Sequence, residues 1–159
     1  MKSFETFSPD SKLWIYQASR EFTVEEHTVL RGMLSHFCKD WTAHNNQLKA
    51  DFDLVYDRFI TLVVDESHNT ASGCSIDKSV HLLKDIGGKF EIDFFDKMHI
   101  AYMLDYEFQI SHYNDLKNLY KKGKIDDDTL FFDTNIQTLS DYENFVKPLK
   151  NHWLIAKVK

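Results

Sequence analysis

The chain has 159 residues, 43% hydrophobic, 28% charged and 14% aromatic, with a formal net charge of −6. That length suits one domain and buries enough surface to fold without covalent staples. The acidic balance offers no footprint for nucleic acid or an anionic membrane, and two cysteines, Cys38 and Cys74, are too few for a disulfide framework or a zinc site of their own.

After the turn residues Ser8-Pro9-Asp10, the run Leu13-Trp14-Ile15-Tyr16 predicts a buried strand. Thr23 with Glu26 three residues on is a capping box, and Leu30, Met33, Leu34, Phe37, Cys38 and Trp41 recur at steps of three and four. Together they predict a helix over 24–41 with one apolar stripe facing the core. Thr42 to Gln47 is polar and reads as a loop. Phe52, Leu54 and Tyr56 alternate with Asp51, Asp53 and Asp57, the period of a half-exposed strand. Phe59 to Val64 is continuously apolar apart from Thr61 and predicts a central strand, with the turn at Asp57-Arg58.

A loop follows from Asp65 to Gly73. A second helix, from about 75 to 86, carries Ile76, Val80, Leu83 and Ile86 on one face, and Gly87-Gly88 end it. Strands are expected at Ile100–Leu104 and Phe108–Ile110, and a short helix around Leu116, Leu119 and Tyr120 stops at Gly123. Further on lie an apolar knot, Leu130-Phe131-Phe132, a short helix from Ser140, and a closing Trp153-Leu154-Ile155. No repeat or domain boundary interrupts the chain. The order strand–helix–strand–strand–helix–strand over about 12–104 predicts an α+β fold, a ferredoxin-like α/β plait with both helices on one face of an antiparallel sheet. The C-terminal third extends it. An apolar second sheet face then needs cover, either from a homodimer or from residues 105–159.

The segments Arg58-Phe59-Ile60, Val64-Asp65-Glu66-Ser67 and Ala71-Ser72-Gly73-Cys74-Ser75-Ile76-Asp77, with Val80, Trp14-Ile15-Tyr16-Gln17, Trp41, His44 and Leu48-Lys49-Ala50, resemble a family of uncharacterised bacterial proteins. Its members often carry the label "ABC transporter ATPase". The resemblance spans nearly the whole chain and implies a single α+β domain, but no activity. A phosphate-binding loop needs Gly, four residues, then Gly-Lys-Ser/Thr, and the chain has no such run. Its Gly-Gly-Lys, 87–89, follows a predicted helix instead of opening one.

Chemistry concentrates around Gly73 and Cys74. A thiol at the N-terminus of the second helix sits among free amides that favour a thiolate, with His44 or His68 as base and Asp65 or Asp77 as orienter. The commoner role for such a cysteine is a small packed residue, and Asp77 opposes the thiolate. The amides of Gly73 to Ile76 also suit an anion or a small polar ligand, giving Gly73, Cys74, Ser75, Asp77, Lys49 and Arg58 as a candidate binding set. Asp65-Glu66, after the central strand, is a candidate acid/base pair. No metal-ligand spacing and no cofactor fingerprint is present, and Asp126-Asp127-Asp128 lacks the alternation and glycine of a calcium loop. The N-terminus has no signal-peptide pattern and the apolar run 59–64 is too short to span a bilayer, so a cytoplasmic location with free thiols is expected. The leading expectation is a non-enzymatic domain binding a small ligand or a protein partner. The alternative is a small enzyme using Cys74 or Asp65/Glu66, supported by His44 or His68.

Overall fold

In the computed structural model, which describes residues 1–159, the contacts divide the chain into two units: Met1–Phe95 with Asn135–Tyr142, and Asp96–Thr134 with Glu143–Lys159. No glycine- or proline-rich stretch marks the crossings, so composition alone does not reveal the division. Both units are mixed α+β with antiparallel sheets. No helix is long and apolar enough to cross a membrane.

The first unit contains β1 (Lys12–Gln17), α1 (Val24–Asp40), the short strands β2 (Thr42–Ala43) and β3 (Asn46–Gln47), β4 (Lys49–Val55), β5 (Phe59–Asp65) and α2 (Gly73–Phe90). β5 lies between β1 and β4, antiparallel to both, and every one of its residues is buried. The segment expected to be a loop, 42–47, is the β2–β3 hairpin. The sheet holds three strands in the order β1-β5-β4. The expected fourth strand is absent from the sheet, because residues 100–104 pair elsewhere. Beside β1 lies residue 138 instead: Thr138 bridges Lys12 antiparallel, the Leu13 amide donates to the Gln137 carbonyl, and the Leu139 amide donates to that of Ser11.

Strand alternation sends Phe52, Leu54, Ile60 and Leu62 to one face, where they form a single cluster with Leu30, Leu34 and Cys38 of α1 and Leu83 and Ile86 of α2. Both helices therefore cover the same face, as expected. The Thr23–Glu26 capping box is formed, and Glu26 also takes two 2.8 Å bonds from the Arg20 guanidinium. Those bonds, chiefly, hold its carboxyl down at about 2. Arg20 donates as well to the carbonyl of Phe90, the last residue of α2, so one side chain ties the start of one helix to the end of the other.

α2 runs past Gly87-Gly88 to Phe90 and is capped by Glu91 in the left-handed region, φ 56°. Gly87 serves packing inside the helix: a Cβ there would come within 2.4 Å of the Ile92 carbonyl oxygen, which accepts no such neighbour. The Gly-Gly-Lys run accordingly lies inside α2.

The opposite sheet face is occupied too. Lys2 donates its amide to Asp53 (2.7 Å) and its ammonium to Asp51 (2.5 Å), Phe4 packs against the Tyr142 ring, and the Ser8 amide donates to Asp65. The Tyr142 hydroxyl bonds both Thr61 and Asp53 in the interior. Asp53 is thus buried, where alternation predicted an exposed aspartate; its lone pairs have found donors. The N-terminal strap and Tyr142, which itself lies within 105–159, contribute to the cover expected from a second copy or from residues 105–159.

The second unit holds a sheet in the order β7-β6-β8-β9, from β6 (His99–Leu104), β7 (Glu107–His112), β8 (Leu130–Phe132) and β9 (Val146–Pro148), with α3 (Leu116–Lys121) and α4 (Ile155–Val158). The residues expected to form a helix from Ser140 are a 3-10 turn, Leu139–Asn144. The core joins Tyr102, Leu116, Ile125, Phe131, Leu149 and Leu154, with the Tyr102 and Phe131 rings stacked at 5.0 Å. Buried among them, the neutral His152 ring donates from Nε2 to the Phe132 carbonyl and accepts the Leu154 amide at Nδ1. Burial lowers its pKa, because a charged imidazolium would lose its hydration there.

Three hairpins turn on two residues with positive φ and no glycine: His44-Asn45, Tyr56-Asp57 and Asp105-Tyr106. The β4–β5 turn is therefore one residue earlier than the sequence suggests. Tyr106 has φ 66° and is 98% exposed, so it pays conformational strain without packing in return. Tyr106→Gly is expected to raise stability in urea unfolding by about 1 kcal/mol. A loss of stability would show that the tyrosine ring makes a stabilising contact.

Candidate functional site

The loop between β5 and α2 was the strongest candidate from sequence, and its polar groups are committed to holding the chain. Asp65 accepts the Ser67 hydroxyl (2.5 Å), the Ser8 amide (2.9 Å), the Ser67 amide (3.0 Å) and the Lys49 ammonium (3.3 Å). These donors, led by the Ser67 hydroxyl, keep its carboxyl well below the usual range, the reverse of what a general acid needs at neutral pH. Glu66 closes the loop by accepting the Ala71 amide (2.8 Å) and pairing with Lys12 (3.1 Å). Lys49 also donates to the Thr6 carbonyl and lies 4.8 Å from the centre of the Phe7 ring.

The first turn of α2 is closed in the same way. Ser72 is the N-cap and forms a reciprocal box with Ser75, whose hydroxyl returns a 2.7 Å bond to the Ser72 carbonyl. Ser75 is buried, and its own carbonyl accepts the Trp41 indole N–H at 2.8 Å. Gly73, Cys74 and Asp77 are exposed on that turn. A Cβ at Gly73 would meet nothing within 4 Å, so no tight approach requires the glycine. His44 stands at the tip of the β2–β3 hairpin and His68 is exposed in the loop; neither is hydrogen-bonded to Cys74. Arg58 stands at the other end of β5, roughly 20 Å of strand away, beside Glu21 at 4.0 Å. The structure brings Lys49 to Asp65 and places Ser75 beneath the helix start. It does not bring Arg58 to this loop.

A different place in the first unit has the shape of a binding site. Between α1 and α2 lies a hollow of about 390 Å³, lined by Met33, Phe37, Trp41 and Leu82, with His36, Asp40 and Lys78 around them. The volume falls in the range of small-molecule sites. The Phe37 and Trp41 rings are 4.8 Å apart and tilted by 40°, and Trp14 lies 6.2 Å from Trp41 on the inner side. Trp41 is nearly wholly buried and fixed by its bond to Ser75, so the aromatic end of the hollow is rigid. His36 and Asp40 pair with each other at 3.2 Å, one helical turn apart.

From the sequence, Met33, Phe37 and Trp41 read as part of one core-facing stripe. The structure splits that stripe. Leu30, Leu34 and Cys38 enter the core, while Met33 and Phe37 are only half-buried along the groove. The signal for this was the width of the stripe, since two adjacent i, i+4 rows exceed what one sheet face takes up. No protein-family model, curated protein or solved structure matches this chain.

Asp65 should anchor the strap by charge. Because its folded pKa is depressed, its contribution is complete above about pH 5 and is lost as the pH falls through the unfolded value near 4 toward the lower folded one. Asp65→Asn is expected to cost about 2 kcal/mol at neutral pH and to flatten the acid limb of the stability curve. Urea unfolding across that range checks it, and an unchanged acid limb would remove Asp65 from the account.

The two thiols should separate cleanly. Cys38 is buried, and burial pushes its pKa up to about 12, whereas Cys74 is exposed. Iodoacetamide should therefore label Cys74 in the folded protein and reach Cys38 only on unfolding, as read by peptide mass spectrometry. Labelling of Cys38 first would contradict its place in the core.

Proposed function

We propose that this protein is a non-enzymatic binding domain and that the groove between α1 and α2 is where it takes a small, largely apolar ligand. The observation that carries this reading is the pairing of a rigid aromatic and aliphatic floor with charges confined to the edge, the usual make-up of a ligand pocket. The one imidazole in the lining, His36, is engaged with Asp40, and no hydroxyl or thiol lines the groove beside it. That arrangement favours holding a molecule over transforming it. We read the first unit as a three-stranded relative of the α/β plait, in which two helices on one sheet face present the groove between their outer sides. The reading needs one copy of the chain and no cofactor. A cytoplasmic protein of the bacterial family it resembles would suit it.

The uncharged fluorophore N-phenyl-1-naphthylamine tests the site. It is expected to bind the wild type with one-to-one stoichiometry and a rise in emission. Leu82→Arg, which places a charged chain across the half-buried floor, should weaken binding at least about tenfold. Cys74→Ser should leave it unchanged. Circular dichroism confirms that both variants fold. Absence of binding by the wild type, or binding indifferent to Leu82→Arg, would end the groove reading.

A further inference from the structure

The second unit buries an imidazole that the groove does not use. His152 is 2% exposed and bonded on both sides of its ring: Nε2 donates to the Phe132 carbonyl at 3.2 Å, and Nδ1 accepts the Leu154 amide at 3.2 Å. We propose that His152 is an acid-sensitive latch: a proton taken up at Nδ1 releases residues 152–159 from the second unit and uncovers the apolar surface beneath α4, while β6, β7 and β8 stay paired.

Protonation spoils the fit on one side of the ring. The imidazolium keeps its bond to the Phe132 carbonyl, but the Nδ1 lone pair that accepted the Leu154 amide is gone, and two N–H groups then face each other. The cation also loses its hydration in the interior. The surrounding charges do not make this good. Asp133, just after β8, is the carboxylate that favours a charged ring, and it is already paired at 2.8 Å with the Lys147 ammonium of β9, which disfavours one. Lys150 pairs with Asp128, and Lys159 with Asp127, which also accepts the Tyr120 hydroxyl of α3. Burial therefore dominates and holds the docked ring below its usual pKa. A released, hydrated ring titrates near the ordinary value of about 6.5. The docked state is accordingly favoured in full above about pH 6.5 and loses ground as the pH falls below it.

Residues 152–159 can leave without breaking a sheet. Their backbone bonds run within 149–159, and none belongs to the ladders of β6, β7, β8 or β9. The segment is attached by the His152 ring, by Leu154 and Val158 in the cluster that holds Leu116 and Phe131, and by the exposed Lys159–Asp127 pair, which contributes little. The Leu149 and Lys150 amides donate to the Thr129 and Asp127 carbonyls, so the chain is fixed just before the latch and 149–151 is the hinge. Leu116 and Phe131, fully buried while α4 is docked, are what release uncovers.

Amide hydrogen exchange on the full chain, read residue by residue by NMR, tests the latch. Protection factors at Leu154 and Val158 are expected to hold above about pH 6.5 and to fall by roughly tenfold or more in total by about pH 5, while those of the β6–β7 hairpin change little. His152→Gln offers a donor and an acceptor but does not titrate, so its protection should not vary over that range. Unchanged protection at Leu154 and Val158 in the wild type, a loss shared equally by β6 and β7, or a loss that persists in His152→Gln would overturn the proposal. If that variant does not fold, the ring resonance of wild-type His152 decides: a titration midpoint below about 6.5 alongside the loss of protection supports the latch, and a midpoint at or above it overturns the latch.

Discussion

The first unit depends on one strand having neither a free edge nor an open face. β5 is hydrogen-bonded to β1 on one side and β4 on the other, and all of its residues are buried. A strand in that position needs apolar cover for its apolar side chains and hydrogen-bond partners for its backbone, Thr61 and Asp65, because uncompensated burial of those polar groups would cost several kcal/mol. α1 and α2 provide one cover. The N-terminal strap and Tyr142 contribute to the other, and here the sheet offers aspartates as well as apolar side chains. Asp51, Asp53 and Asp65 each receive a donor from the first eight residues, so the strap is located by charge as much as by the Phe4 ring.

The groove is a consequence of how the helices meet that sheet. α1 has more apolar surface than its contact with the sheet can absorb, and the surplus row faces α2 along its outer side. Arg20 holds the N-terminal end of α1 against the C-terminal end of α2, and the Trp41–Ser75 bond does the same at the opposite ends. The hollow lies between these two ties, beside Met33 and Phe37.

The loop before α2 illustrates why a cluster of reactive residue types is a weak sign of chemistry. A chain leaving a buried strand and entering a helix exposes several amides that need acceptors. Asp65, Glu66, Ser72 and Ser75 supply them, to Ser8, Ser67, Ala71 and the helix start. What remains on the surface, Cys74 and Asp77, has no bonded base.

The elements whose cause is local are legible in the sequence. The Thr23–Glu26 box, the apolar periodicity of α1 and the unbroken run of β5 are visible because side chains a few residues apart act on the same turn or strand. The sequence did not determine what depends on partners distant in the chain. Asp53 reads as exposed until Lys2 and Tyr142 arrive, and residues 100–104 read as the fourth strand until a tight hairpin pairs them with 107–112. Gly87 reads as a helix stop until the Ile92 carbonyl lies against it. The groove belongs to the same class. Periodicity places Met33, Phe37 and Trp41 on the apolar side of α1, but only the distance at which α2 is held decides whether that row is filled by protein or left open to a ligand.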